Sequence, residues 1–124
     1  MVVLGDVAVG KTSLIKTYVN NGQFQGEAAT QVSIGSNFES KTLKHEGLDV
    51  VIQLWDTAGQ ERFESLGYAF YRGSNCCMLV YDVSNRASFE ALNKWKLNFI
   101  SNASPADAAS FPFMVVGNKS DLAE

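Results

Sequence analysis

A chain of 124 residues is long enough for one domain with a buried core, and 46% hydrophobic with 19% charged residues is typical of a soluble globular protein. A net charge of -3 without a basic cluster argues against nucleic acid as the main partner. We expect neither a membrane-spanning segment nor a secretory signal, because no apolar run has the required length or flanks.

Strand-length apolar runs alternate with longer segments of helical character along most of the chain. Helices are predicted over residues 11–20 and 89–100, and the second carries one apolar stripe that we expect in the core, namely Phe89, Leu92, Trp95 and Phe99. The runs lie at residues 1–4, 50–55, 76–82 and 113–117. This alternation predicts an α/β fold, a doubly wound and mostly parallel sheet with helices on both faces.

Two further features interrupt the alternation. Residues 38–45 and 48–55 flank Glu46-Gly47, which predicts a hairpin that adds one antiparallel edge strand. Residues 21–37 form a long irregular stretch, and loops of that length in compact domains are usually functional or disordered. Cys76 and Cys77 are predicted to be buried, unpaired thiols of a reducing compartment, and His45 is assigned no role.

The first chemical motif follows the first strand. Gly5-Asp6-Val7-Ala8-Val9-Gly10-Lys11-Thr12 fits the phosphate loop G-x-x-x-x-G-K-[ST], with a strand before it and a helix behind it. Its backbone N–H groups and the helix N-terminus would face an anion, Lys11 would reach the terminal phosphates, and Thr12 would ligate Mg²⁺. Taken alone, the motif also suits any P-loop ATPase, or a glycine-rich turn without a ligand.

A second motif, Asp56-Thr57-Ala58-Gly59-Gln60, follows the strand at 50–55. A carboxylate beside the phosphate loop would hold Mg²⁺ through its water shell. The Gly59 N–H would approach a γ-phosphate, and Gln60 would orient an attacking water. By itself, an Asp before a turn is more often an ordinary turn residue.

A third motif, Asn118-Lys119-Ser120-Asp121, follows the last predicted strand. The Asp121 carboxylate accepts two N–H bonds from a guanine edge and repels the acceptor pattern of adenine. The tetrapeptide alone would be a polar turn. All three motifs lie where parallel strands should end, and open α/β sheets bind ligands at that edge.

With these motifs in order, the chain resembles the Ras-like small GTPases, and within them the Rab family. Rab-type stretches are Ile34-Gly35-Ser36-Asn37-Phe38, Leu54-Trp55-Asp56-Thr57-Ala58-Gly59-Gln60-Glu61-Arg62-Phe63, Phe70-Tyr71-Arg72-Gly73 and Leu79-Val80-Tyr81-Asp82-Val83. Residues 65–73 and 103–113 look most like the late-endosomal and lysosomal branch. The implied fold is the small G-protein type of P-loop NTPase.

The resemblance implies a GTP- and Mg²⁺-dependent switch in vesicle and endosomal trafficking, which hydrolyses GTP to GDP slowly. Switch I would span residues 25–38 and switch II residues 58–73. Lys11 and Gln60 would be catalytic, and Thr12, Ser33 and Asp56 would ligate the metal. Effectors would bind Phe38, Trp55 and Phe70. The nucleotide would be bound by Gly5, Asp6, Val7, Ala8, Val9, Gly10, Lys11, Thr12, Ser13, Phe24, Ser33, Gly59, Asn118, Lys119 and Asp121.

Two positions depart from the family's pattern. The switch I threonine aligns with Ser33, and Thr30 in the same loop is a competing candidate. Val7 stands where the family has Gly or Ser, close to the γ-phosphate, so its branched side chain should crowd Gln60 and slow hydrolysis. Alternative functions are therefore a slowly hydrolysing or non-hydrolysing GTP-bound scaffold or an inert fragment. A P-loop kinase or ATPase is disfavoured by Asp121.

The resemblance also carries expectations about partners, location and extent. Expected partners of the monomer are an exchange factor, a GTPase-activating protein, a GDP-dissociation inhibitor and effectors. The complete protein is expected in the cytoplasm and on the cytosolic face of late endosomal and lysosomal membranes. Residues 1–124 would form one G domain without its last strand and helix, with a clipped first strand, and lacking the lipidated tail that would attach it to membranes.

Overall fold

The sheet carries four parallel strands and one antiparallel strand. In the computed structural model, residues 1–22, 37–57 and 71–122 are described. Within them lie β1 (Val2–Leu4), β2 (Asn37–His45), β3 (Leu48–Asp56), β4 (Cys77–Asp82) and β5 (Phe113–Asn118). The strand order is β2-β3-β1-β4-β5, in which only β2 runs antiparallel to its neighbour. The predicted α/β topology is confirmed, with each strand end at most two residues from the predicted one.

Helices cover both faces of the sheet. They are α1 (Lys11–Val19), α2 (Arg86–Glu90) and α3 (Leu92–Ala103), followed by a short 3-10 helix (Ser120–Leu122). Because strand side chains alternate, Val3 of β1 packs towards Ile15 of α1, whereas Val2 and Leu4 pack in the other cluster with Phe99 of α3. Burying an aromatic side chain as fully as Phe99 contributes about 2–3 kcal/mol. The two cores fix β1, and with it the segment that follows Leu4.

The helix predicted over residues 89–100 is divided at Ala91. The Asn85 side chain caps α2 by accepting a hydrogen bond from the Ala87 N–H at 3.1 Å. The Ala91 ψ of -15° departs from helical values near −42°, and α3 begins at the next residue. Phe89 is therefore offset from the stripe and 53% exposed, packing edge-on against Tyr81 at 5.0 Å. Its predicted place in the core was wrong, whereas Leu92 and Phe99 are buried and Trp95 packs against them.

The predicted hairpin is confirmed. Glu46 and Gly47 both have positive φ, 50° and 78°, as a two-residue type I′ turn requires. His45, at the end of β2, lies opposite Leu48, and the pairing continues to Asn37 opposite Asp56. This register places Phe38 opposite Trp55 and brings the end of β3 beside the start of β2.

The two cysteines are free thiols, as predicted. Burial of Cys77 at the start of β4 raises the pKa of its thiol to about 12. Cys76 is only half-buried, which corrects the prediction that both are buried, and it lines a cavity of about 520 Å³ beside β3. Within the three described segments, no helix has the length and apolar composition to span a bilayer.

Candidate functional site

The four parallel strands end at one edge of the sheet, and the chain leaves the sheet there after each of them. Residues 5–10 follow β1, Thr57 follows β3, residues 83–85 follow β4 and Lys119 follows β5. The predicted first and third motifs, and the start of the second, therefore lie at the same edge.

The phosphate loop is closed by Lys11, the first residue of α1. Its side chain is 3% exposed, and its ammonium donates hydrogen bonds to the carbonyls of Gly5 and of Asp6, the latter at 2.9 Å. Gly10 precedes the helix with φ 94°. A Cβ at Gly10 would lie 2.3 Å from the Asn118 amide nitrogen, so only glycine allows this approach.

Two side chains of the third motif bind carbonyl groups of the first. Lys119 Nζ donates to the Ala8 carbonyl at 2.7 Å, and Asn118 Nδ2 donates to the Val9 carbonyl at 2.9 Å. In a trans peptide the C=O and the next N–H point in opposite directions. The Val9 and Gly10 N–H groups therefore face away from these donors, as in a backbone cradle for an anion.

Two side-chain oxygen groups that could ligate a metal ion, a hydroxyl and a carboxylate, lie next to each other beside this loop. The Thr12 hydroxyl donates a hydrogen bond to the Asp56 carboxylate, which is 2% exposed at the end of β3. The neighbouring Thr57 hydroxyl donates to the Val3 carbonyl and fixes this strand end against β1. A hydroxyl and a carboxylate are hard oxygen donors, and they suit Mg²⁺.

An additional carboxylate supports the third motif. Asp82, at the end of β4, lies 3.0 Å from Lys119 Nζ and accepts hydrogen bonds from the Ser84 N–H at 2.8 Å and the Ser84 hydroxyl at 2.6 Å. The Ser84 bonds, and then Lys119, lower the pKa of this carboxyl. Sequence reasoning assigned Asp82 no role, although it is the last residue of a parallel strand, as Asp56 is.

The first motif is also tied to α3. The Trp95 indole Nε1 donates a hydrogen bond to Asp6 Oδ1 at 2.8 Å. Trp95 was predicted as a core residue, and its ring does pack against the core. The hydrogen bond could not be inferred from the apolar stripe, because the stripe indicates only which face is buried.

Some of the remaining predicted site residues lie in the described part of the chain, and the others lie outside it. Ser13 lies half-buried in the first turn of α1, Val7 is 45% exposed in the loop, and Asp121 is exposed in the 3-10 helix beside Lys119. Phe38 and Trp55 contact each other, with ring centroids 4.8 Å apart. Outside the described residues lie Phe24, Thr30, Ser33, Gly59, Gln60 and Phe70.

Known proteins resemble this chain over its full length. A sequence model of the Ras family matches residues 1–124. The chain is 53% identical to the Ypt/Rab-type GTPase avaA of Emericella nidulans and 52% identical to the Ypt/Rab-type GTPase Rab7 of Gibberella zeae, over 124 residues in each case. It is 52% identical to the Ras-related protein RABG3b of Arabidopsis thaliana over 122 residues, 98% of the chain.

The chain spans 59% of the length of each of these relatives. The predicted resemblance to Rab GTPases of the late-endosomal branch is confirmed by relatives named Rab7 and RABG3b, each 52% identical to the chain. The site at the sheet edge is thus held by residues from four segments, in a chain whose whole length matches one family.

Proposed function

This chain belongs to the Ras family, and from that premise we propose that its sheet edge binds guanine nucleotides and hydrolyses GTP to GDP as a Rab-type switch in endosomal trafficking. The observation that carries the proposal is the joining of the motifs by hydrogen bonds. Asn118 and Lys119 bind the phosphate loop, and Thr12 of that loop's helix binds Asp56.

In this proposal each segment has a separate task. The Val9 and Gly10 N–H groups and the N-terminus of α1 bind phosphate oxygens, and Lys11 neutralises charge on the terminal phosphates. Asp121 reads guanine, because its carboxylate accepts from two N–H donors that adenine does not present. Gln60 orients the attacking water, and Phe24 packs across the guanine ring.

The hydroxyl and carboxylate oxygens beside the loop are suitable ligands for Mg²⁺. Thr12 and Asp56 would hold the ion, with Ser33 or Thr30 adding an oxygen from switch I. When bound, the ion neutralises charge developing on the phosphate oxygens. Before that, the buried Asp56 carboxylate keeps the Thr12 hydroxyl directed towards β3.

An exposed aromatic ring that rests on a partly buried one supports the proposed partners. Phe38 is 45% exposed, and its ring contacts that of Trp55, which is partly buried and packs against the core, so the two rings form a supported aromatic surface at the end of the hairpin. We assign effector binding to this surface together with Phe70. Exchange factors, GTPase-activating proteins and GDP-dissociation inhibitors would act on the two switches, on the cytosolic face of late endosomal and lysosomal membranes.

Competition binding tests the base specificity. A fluorescent GDP analogue bound to the 124-residue chain should be displaced by GTP and not by ATP. Asp121→Asn should weaken guanine binding and favour xanthine nucleotides, because an amide donor then faces the xanthine carbonyl. Asp107→Asn, in the exposed segment after α3, is the matched control and should leave displacement unchanged. Equal displacement by ATP and GTP would refute the proposal.

A further inference from the structure

One hydrogen bond joins the phosphate loop to the middle of α3. Trp95 Nε1 donates to Asp6 Oδ1 at 2.8 Å across 89 positions of sequence, and both residues are half-buried. An indole N–H donating to a carboxylate is a charge-assisted hydrogen bond, which is stronger than a neutral one. Partial burial shields it from competing water.

The same Asp6 also contacts Lys11 through its main chain. Its carbonyl accepts a hydrogen bond from Lys11 Nζ at 2.9 Å, while its carboxylate accepts from Trp95. Fixing the carboxylate therefore limits how far the Asp6 peptide, and the ammonium bound to it, can move. We propose that Trp95 is a positioning residue for nucleotide binding, holding the phosphate loop and Lys11 in place through Asp6.

The two ends of this hydrogen bond differ in how firmly they are held. Trp95 packs against a core cluster that includes Leu92 and the fully buried Phe99, so its indole is fixed by α3. The loop, in contrast, places Ala8 at φ 65°, a left-handed conformation that costs a residue with a Cβ about 1–2 kcal/mol. A bond from a rigid helix would counter the tendency of such a loop to relax.

Four variants separate the hydrogen bond from ring packing. Trp95→Phe keeps an aromatic ring and removes the N–H donor. Asp6→Ala removes the acceptor, and Asp6→Asn retains an acceptor oxygen. Leu97→Ala is the matched control, because it changes an exposed position of the same helix, outside the core against which Trp95 packs.

Two measurements on the 124-residue chain apply to all four. Release of a fluorescent GDP analogue should be about tenfold faster in Trp95→Phe and in Asp6→Ala, as expected for loss of one charge-assisted bond. Asp6→Asn should release it more slowly than Asp6→Ala. The double variant Trp95→Phe with Asp6→Ala should match either single variant, since both remove the same bond. Leu97→Ala should leave release unchanged.

Amide hydrogen exchange of residues 5–10 in the nucleotide-free chain is the second measurement. Exchange should be faster in Trp95→Phe and Asp6→Ala than in Leu97→Ala. Equal exchange in Trp95→Phe and the unaltered chain would overturn the inference, as would additive effects in the double variant. The inference on nucleotide binding rests on the proposed function. If the unaltered chain bound no guanine nucleotide, that function would fail, and exchange would still decide whether Trp95 holds the loop.

Discussion

The Asn118 side-chain amide donates a hydrogen bond to the Val9 carbonyl at 2.9 Å, and it thereby fastens the segment after β5 to the phosphate loop after β1. Gly10 lies next to this hydrogen bond, and a Cβ at Gly10 would lie 2.3 Å from the Asn118 amide nitrogen. The two motifs are therefore joined, and a change to the segment after β5 also disturbs the backbone of the loop after β1.

Replacing Asn118 should weaken binding of the whole nucleotide. Asn118→Ala removes a hydrogen bond whose net contribution is about 1–1.5 kcal/mol, so a fluorescent GDP analogue should be released about tenfold faster. Asn93→Ala, on the exposed side of α3, is the control and should have no effect. Unchanged release from Asn118→Ala would show that the bond does not support the nucleotide.

Ala8→Gly should stabilise the chain. Ala8 has φ 65°, and glycine adopts this conformation without the steric cost of a Cβ, although it also gains freedom in the unfolded state. We expect a net gain of about 0.5–1 kcal/mol in the free energy of unfolding, measured by urea denaturation. Ala91→Gly, where φ is -72°, should instead destabilise the chain, which makes the pair a test of backbone conformation alone.

Val7→Ser should accelerate single-turnover GTP hydrolysis. Val7 is 45% exposed in the phosphate loop, so its branched side chain is available to crowd the attacking water and Gln60. The smaller serine should raise the rate of hydrolysis several-fold, and a GTPase-activating protein should then accelerate hydrolysis more strongly. Val51→Ser, at an exposed position in β3, is the control. A rate equal to that of the unaltered chain would contradict the crowding.

Acid should remove the contribution of Asp82 to stability. The Ser84 hydrogen bonds and Lys119 lower the pKa of this carboxyl below its ordinary 3.8, so its stabilisation is present above pH 3.8 and is lost as the pH falls through the lowered value. Asp82→Asn should therefore be less stable than the unaltered chain near neutral pH, and the difference should shrink on acidification below 3.8. Urea midpoints across that range measure it, with Asp49→Asn on the hairpin as control.

Strands and motifs were predictable because their signals are local. Apolar runs of β-branched residues identify strands, and the spacing of Gly10, Lys11 and Thr12 after such a run identifies a phosphate loop. The hairpin turn was equally local, since Glu46-Gly47 separates two strand-like runs.

Contacts between distant segments were not predictable from those signals. The Asp82–Lys119 ion pair depends on β4 and β5 ending side by side, and the Trp95–Asp6 bond depends on how α3 crosses the sheet. Periodicity also treats a helix as continuous, so it included Phe89 in the core stripe although the helix is interrupted at Ala91.

The register of the hairpin couples the position of the Asp56 backbone to that of the aromatic pair Phe38 and Trp55. Phe38 faces Trp55 and Asn37 faces Asp56, so the aromatic surface and the buried carboxylate occupy consecutive rungs of one antiparallel ladder. A slip by a single residue would exchange the faces of every side chain in β2, which forbids gradual sliding. A displacement of the Asp56 backbone therefore passes through a single peptide unit to reach Trp55 and, across the ladder, Phe38.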